Sequence, residues 1–276
     1  MSGTNDLGTL AIVSDGTVHQ RPRRIVVFLG ALRNIKQALR ELSDLPNIER
    51  LGDGVYFIHG TKQLPTDILK DAAYIVFKRV NDIPRIRKGA KESEKTFTLI
   101  HYRFNSPTAK QKKTAERLRM RTPSIRLRPG VLLFPHLRFK DDRYFFSKES
   151  GSTSMNSKMF VEHIVELGAS VNRWTKLRPM TQSNREILRI IAQTTFEKRA
   201  ESLEVRIQSL ISEARARSLP LKELKRRLSI LFRILKSMKS NQELIQLVWG
   251  FDSERIHARL YNLLLSARRI INDIES

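Results

Sequence analysis

The sequence contains no cysteine, which excludes disulfides, thiolate metal sites and cysteine nucleophiles together. No stretch approaches the run of about eighteen apolar residues that a membrane span requires. The first residues lack a basic region followed by an apolar stretch and a small-residue cleavage site, so no secretory signal is expected. With the missing thiols, this fits a cytoplasmic location. Catalytic signatures are missing too: no Gly-rich phosphate loop ending in Lys-Ser/Thr, no His-Glu-x-x-His and no Gly-x-Ser-x-Gly. The histidines, His19, His59, His101, His136, His163 and His257, are scattered. They read as satisfied or solvated side chains rather than a converging acid–base or metal cluster. Asp141 and Asp142 are adjacent, but their flanks read as a turn with no further carboxylate nearby. No catalytic activity, cofactor or metal is therefore expected.

Acid is the other shortage. The chain carries 51 Lys+Arg against 28 Asp+Glu, a formal net charge of +23. Self-repulsion of that size works against compactness and calls for an anionic counterpart. Nucleic acid leads, because cations placed at phosphates release condensed counterions. The excess is not confined to one tail: residues 1–180 are net +16 and residues 181–276 net +7. An interfacial membrane helix is not expected, since no segment pairs a Trp/Phe-rich face with a wholly basic one.

Along the chain, residues 1–22 read as a mobile lead-in. Ile25–Leu29 has the composition of a strand buried on both faces. Residues 33–43 space Ile35, Leu39 and Leu42 as a helix, and Leu51–His59 is a strand entered through a glycine turn. Residues 66–79 read as helix around Ile68, Leu69, Ala72, Ile75 and Val76. A second pass of the same order follows. Phe97–Phe104 is a strand, 107–121 a helix with Ser106 as N-cap and Pro107 in its first turn, and Leu127–Pro135 another glycine-entered strand. Leu51, Gly54 and Val55 match Leu127, Gly130 and Val131 at a constant offset, the best internal repeat. Arg143–Phe146 then reads as an aromatic strand, 147–157 as a loop, 158–167 as a helix stopped by Gly168, and 171–177 as the last strand. This gives a β-α-β-β-α-β order. From Asn184 the spacing is helical over 184–216, 220–239 and 252–274, with Pro220 and Gly250 as breaks and Asp252 as an N-cap. The expected fold is α+β: two ferredoxin-like units, 23–92 and 93–180, followed by an α-helical bundle over 181–276. Edges of such sheets commonly pair, which makes a homodimer an expectation.

The basic segments carry the functional reading. Lys110, Lys112, Lys113, Arg117, Arg119, Arg121, Arg126 and Arg128 are opposed only by Glu116. Lys110, Lys113 and Arg117 follow i, i+3, i+7, so they share a helix face that Arg121 extends. Such a stripe suits phosphate contacts, whereas an ordinary solvated face interleaves Glu with Lys. Arg85, Arg87 and Lys88 form a basic linker between the repeats, and Arg23 and Arg24 lead into the first strand as an arm. The aromatics at Tyr102, Phe104, Phe139 and 144–146 read as core packing rather than base-stacking surface.

The strand Gly54-Val-Tyr-Phe-Ile, preceded by a strand and helix, resembles the amino-terminal portion of the chromate-resistance regulatory proteins. The stretch from Phe196-x-x-Arg199-x-x-x-Leu203 to Trp249 is similar to the helices that follow in that family. The resemblance spans roughly residues 24–250 on short motifs. It implies a ferredoxin-like dimerising core, akin to those of the CRISPR-adaptation proteins and the phenylacetate repressors, and a link to DNA and transcriptional control. The CRISPR family's Asp at the end of its first strand has no match: Leu29-Gly30-Ala31 and His101-Tyr102-Arg103 stand there, which argues against its nuclease chemistry. Residues 1–22 also cannot supply the winged helix of the phenylacetate repressors. The expected function is non-catalytic binding of nucleic acid, duplex DNA before RNA, as a transcriptional regulator or architectural protein. An RNA-binding component of a ribonucleoprotein assembly is the alternative, and a metal-dependent nuclease the second.

Overall fold

A computed structural model describes residues 24–29, 36–52, 54–59, 73–87, 91, 94–146 and 154–274. The expected lead-in over 1–22, Arg23, Lys88 and most of the 147–157 loop lie outside the described residues. The first half holds β1 (Arg24–Phe28), α1 (Lys36–Ser43), β2 (Ile48–Gly52), β3 (Val55–Ile58) and β4 (Tyr74–Arg79). Then come β5 (Phe97–Phe104), α2 (Ala109–Met120), β6 (Ile125–Arg128), β7 (Val131–Pro135), α3 (Phe139–Phe146), α4 (Ser157–Glu166) and β8 (Ala169–Pro179). The C-terminal part is helical: α5 (Gln182–Arg215), α6 (Leu221–Ser240), α7 (Gln242–Trp249) and α8 (Glu254–Asp273). The strands form one antiparallel sheet in the order β2-β3-β1-β4-β8-β5-β7-β6, so the protein is mixed α/β.

The repeat read from the sequence corresponds to two equivalent hairpins. Gly54 closes the turn into β3 and Gly130 the turn into β7, both at φ 74°. Each first strand carries a bulge just before its turn, at Arg50/Gly52 and at Arg126/Arg128. The following valines sit opposite β1 at Val27 and β5 at His101. Only glycine holds this left-handed conformation without strain. At Gly130 there is a second constraint, since a Cβ would lie 2.6 Å from the Tyr102 carbonyl oxygen. Gly130→Ala is therefore expected to cost about 2 kcal/mol or more, read by chemical denaturation.

Alternation along the strands sorts side chains onto two faces. Val26, Phe28, Tyr56, Ile58 and Val76 form one outer cluster, packed with Leu39 of α1. Ile100, Leu132 and Phe134 form another with Ala115 of α2 and Phe160 and Ile164 of α4. The inner face is a single core. Ile25, Val27, Val55 and Phe57 from the first half meet Leu99, Val131 and Leu133 from the second, closed by Leu188, Ala192 and Phe196 of α5 and Trp249 of α7. In a flat sheet β1 and β6 would stand five strand spacings apart, about 24 Å. Yet Arg128 on β6 donates from Nη1 to the Phe28 carbonyl on β1 at 2.9 Å. The sheet therefore curls until its two halves face each other. The later part of α5 leaves this core and forms a separate one with α6 and α8, around Leu203, Ile207, Leu231, Leu260 and Leu264.

Several expectations are corrected. Residues 74–79, expected at the end of a helix, are β4. Its Ile75 and Phe77 face the inner core and Val76 the outer cluster, and it is paired on both sides by β1 and β8. Arg143–Phe146, expected as a strand, belongs to α3, and the two middle strands of the second half are instead β6 and β7. The N-cap of α2 is Thr108 rather than Ser106, in a capping box with Gln111. Ser253 is the N-cap position of α8, although the Asp252 carboxylate still accepts from the Glu254 N–H at 3.0 Å. Between the second and third expected helical segments lies a further short helix, α7. Pairing of β4 with β8 joins the two halves edge to edge within one chain.

Candidate nucleic-acid interface

Helix α2 presents the basic stripe because its other side is anchored. Thr108 accepts from the Gln111 N–H at 3.2 Å, and the Gln111 side chain accepts from the Thr108 N–H at 2.9 Å. Gln111 Nε2 also donates to the Leu167 carbonyl at 2.8 Å, tying α2 to the end of α4. With Ala115 buried and Leu118 half-buried below, Lys110, Lys112, Lys113 and Arg117 stand exposed, and Arg121 continues the exposed edge at the C-cap. Arg117 Nη2 donates to Thr114 Oγ1 at 3.0 Å, which steadies its stem along the helix.

The one carboxylate on the helix, Glu116, is neutralised in place. Arg119 Nε donates to it at 3.0 Å. Burial pushes the Glu116 carboxyl upward, but the Arg119 bond and the charges of Arg119, Arg126 and Arg199 outweigh it and hold the group below its usual range. Arg119 is correspondingly committed, its side chain only 11% exposed. Arg126 is exposed on the edge strand β6, with Nε 3.4 Å from the Arg128 carbonyl. Below it, burial raises the Tyr102 hydroxyl's pKa against the opposing charge of Arg126.

Arg128 does not belong to this surface. It is buried, and its guanidinium bonds the Phe28 carbonyl across the curled sheet, which makes it a clasp between the two halves. Arg24 starts β1, half-buried, and Arg85 and Arg87 are exposed after β4, so none of the three lies on α2. Arg24 instead joins a second basic row that sequence reading missed. It pairs in register with Lys78 of β4, which pairs with Arg178 of β8. Like charges directly opposite one another on adjacent strands repel, and Arg178 Nη2 donates to the Glu94 carbonyl at 3.3 Å. No local sequence signal reveals this row, because strand register creates it.

Three of the polar groups considered for catalysis make hydrogen bonds within the fold. Asp141 Oδ2 accepts from the Ile86 N–H at 3.3 Å, and Asp142 Oδ2 accepts from Asn156 Nδ2 at 2.8 Å. Burial raises the Asp142 pKa. Asn156 in turn caps α4 through the Lys158 and Met159 N–H groups. His136 Nδ1 meets Thr98 Oγ1 at 2.9 Å. Among the described residues, no group of three or more His, Cys, Asp or Glu could hold a metal ion, and no helix is long and apolar enough to cross a membrane. Comparisons with protein-family models, with curated proteins and with solved structures find no match.

Proposed function

We propose that the protein is a non-catalytic nucleic-acid-binding protein that holds duplex DNA along the exposed face of α2, with Arg126 at its flank. The observation that carries this reading is the stripe itself: Lys110, Lys113 and Arg117 lie exposed on one face, and the only acid of the helix is already paired with Arg119. From Lys110 to Arg117 the stripe runs about 10 Å along a rigid helix. A straight cationic edge of that length suits a regular phosphate backbone, and it sets affinity rather than base preference. Architectural or regulatory roles fit such a contact, as does the resemblance to the chromate-resistance regulators.

Two ferredoxin-like units, 23–92 and 93–180, make the scaffold in this reading. The strand orders β2-β3-β1-β4 and β6-β7-β5-β8 support it, both being the 2-3-1-4 arrangement of the β-α-β-β-α-β motif. Residues 181–276 supply the helical bundle.

Reversing Lys110, Lys113 and Arg117 to Glu is expected to weaken duplex binding about a hundredfold near physiological salt. The slope of log affinity against log salt should become shallower by about three, one phosphate contact per residue. Reversing Arg206, Arg255 and Arg268 on the helical arm changes net charge equally and should leave that slope nearly unchanged. Equal losses from the two sets would reduce the effect to general electrostatics and defeat the proposal. Preference for structured RNA in the same titrations would replace DNA with a ribonucleoprotein partner.

A further inference from the structure

Helix α3 is turned the wrong way round for an ordinary surface helix. Large apolar side chains usually face inward and carboxylates outward. Here Phe139 and Tyr144, expected to pack in the core, are instead 81% and 64% exposed, while Asp141 and Asp142 are half-buried and hold Ile86 N–H and Asn156 Nδ2. Phe145 and Phe146 fill the inward side against the inner core. The outward surface therefore carries Arg138, Phe139, Lys140, Arg143 and Tyr144, two aromatic rings among three cations, with both acids on the other side.

The basic segment after β4 is fixed beside this helix. Arg138 Nε donates to the Ile83 carbonyl, and the Ile86 N–H reaches Asp141. That places the segment carrying exposed Arg85 and Arg87 against the start of α3, next to Phe139. Tyr144 is held edge-on against Phe145, with ring centroids 4.9 Å apart. Rings exposed among cations match the two demands of an unpaired nucleotide strand: faces for bases to stack on and positive charge along its backbone. An anionic membrane fits less well, because an eight-residue helix whose other aromatics pack against the core has no continuous apolar face to insert.

We infer that α3 and the 83–87 segment form a second contact, specific for unpaired nucleotides, in which bases stack on Phe139 and Tyr144 while Arg85 and Arg87 meet phosphates. This rests on the nucleic-acid reading above and adds a distinction between paired and unpaired strands. The test uses the full chain, with a fluorescent oligothymidylate, a duplex of equal length and anionic phosphatidylserine vesicles as probes. Both rings are exposed, so Phe139→Ala/Tyr144→Ala should melt like the wild type. It should bind the single strand about tenfold or more weakly per ring lost, while duplex affinity and its salt slope stay the same. Phe139→Trp should preserve single-strand binding and Phe139→Leu should not, because leucine is apolar but offers no ring face. Unchanged single-strand affinity in the double variant overturns the inference. So does an equal loss on duplex, or a loss confined to vesicle binding. Failure of the wild type to bind duplex at all would instead sink the α2 reading, which the single-strand comparison does not measure.

Discussion

Truncating Arg199 to alanine is expected to cost about 4 kcal/mol of folding stability, the largest effect of any single change considered. Arg199 lies buried in α5, where Nη1 donates to the Thr122 carbonyl at 3.1 Å and Nη2 to the Ser124 carbonyl at 2.9 Å. Its guanidinium stands 5.1 Å over the Phe196 ring. Burial drives its pKa down to about 9, helped by the like charge of Arg119 and opposed by Glu116, so the cation persists at neutral pH. Its partners are carbonyl dipoles at the approach to β6, and they pin the long helix to the sheet. Alanine leaves two buried acceptors unsatisfied at about 1–3 kcal/mol each and empties the guanidinium's space. Arg199→Lys keeps the charge but loses the fork that reaches both carbonyls, and should recover only part of the loss. Arg199→Met fills much of the space without charge, so its difference from alanine separates packing from hydrogen bonding. Urea unfolding of the three variants is the measurement. An alanine variant within about 1 kcal/mol of wild type would show that this pin carries little.

Much of the scaffold could be read from the chain because its signals are redundant. Ile25–Phe28 is an apolar run and Phe97–Ile100 is apolar but for Thr98, both buried on both faces, and Gly54 and Gly130 mark turns that only glycine forms easily. From Asn184 onward, apolar spacing at three and four residues fixes the long helices. Short apolar runs are ambiguous. Tyr74–Phe77 fits a helix face as well as a strand, and only its two neighbours, β1 and β8, decide the matter. The reverse holds at Arg143–Phe146, whose aromatic content suggests a strand but which ends helix α3. Its inward side chains, Asp142, Phe145 and Phe146, follow helical spacing once the core behind them exists. Within the site, the i, i+3, i+7 spacing of Lys110, Lys113 and Arg117 was enough to place them together. Arg128 was not legible, because strict alternation puts it outward with Arg126. The register shift between those two residues turns it into the core.

Between pH 7 and pH 4 the protein is expected to lose about 3 kcal/mol of stability through His136 alone. The imidazole sits just beyond β7, where its backbone N–H donates to the Thr96 carbonyl at 2.8 Å and Nδ1 meets Thr98 Oγ1 at 2.9 Å. Nε2 is buried with no hydrogen-bond partner. Burial, then the charges of Arg173 and Lys176, lower its pKa from 6.5 to about 4. Between those values the unfolded chain takes up a proton that the folded chain refuses. The contribution is therefore fully present above pH 6.5, declines as pH falls, and levels off below about pH 4. His257, also lowered by burial, acts in the same direction. Asp142, raised by burial, acts in the opposite one, since its protonation on acidification relieves a cost in the folded state. The carboxyls of Glu116 and Glu223, both lowered by arginine partners, add their own losses on acidification, so the informative quantity is a difference. His136→Gln keeps an amide beside Thr98 and removes the titration. Urea unfolding at half-unit pH steps should give a variant curve that falls about 3 kcal/mol less than wild type over this interval. Parallel curves would mean that the folded protein accepts the proton at His136 as readily as the unfolded chain does.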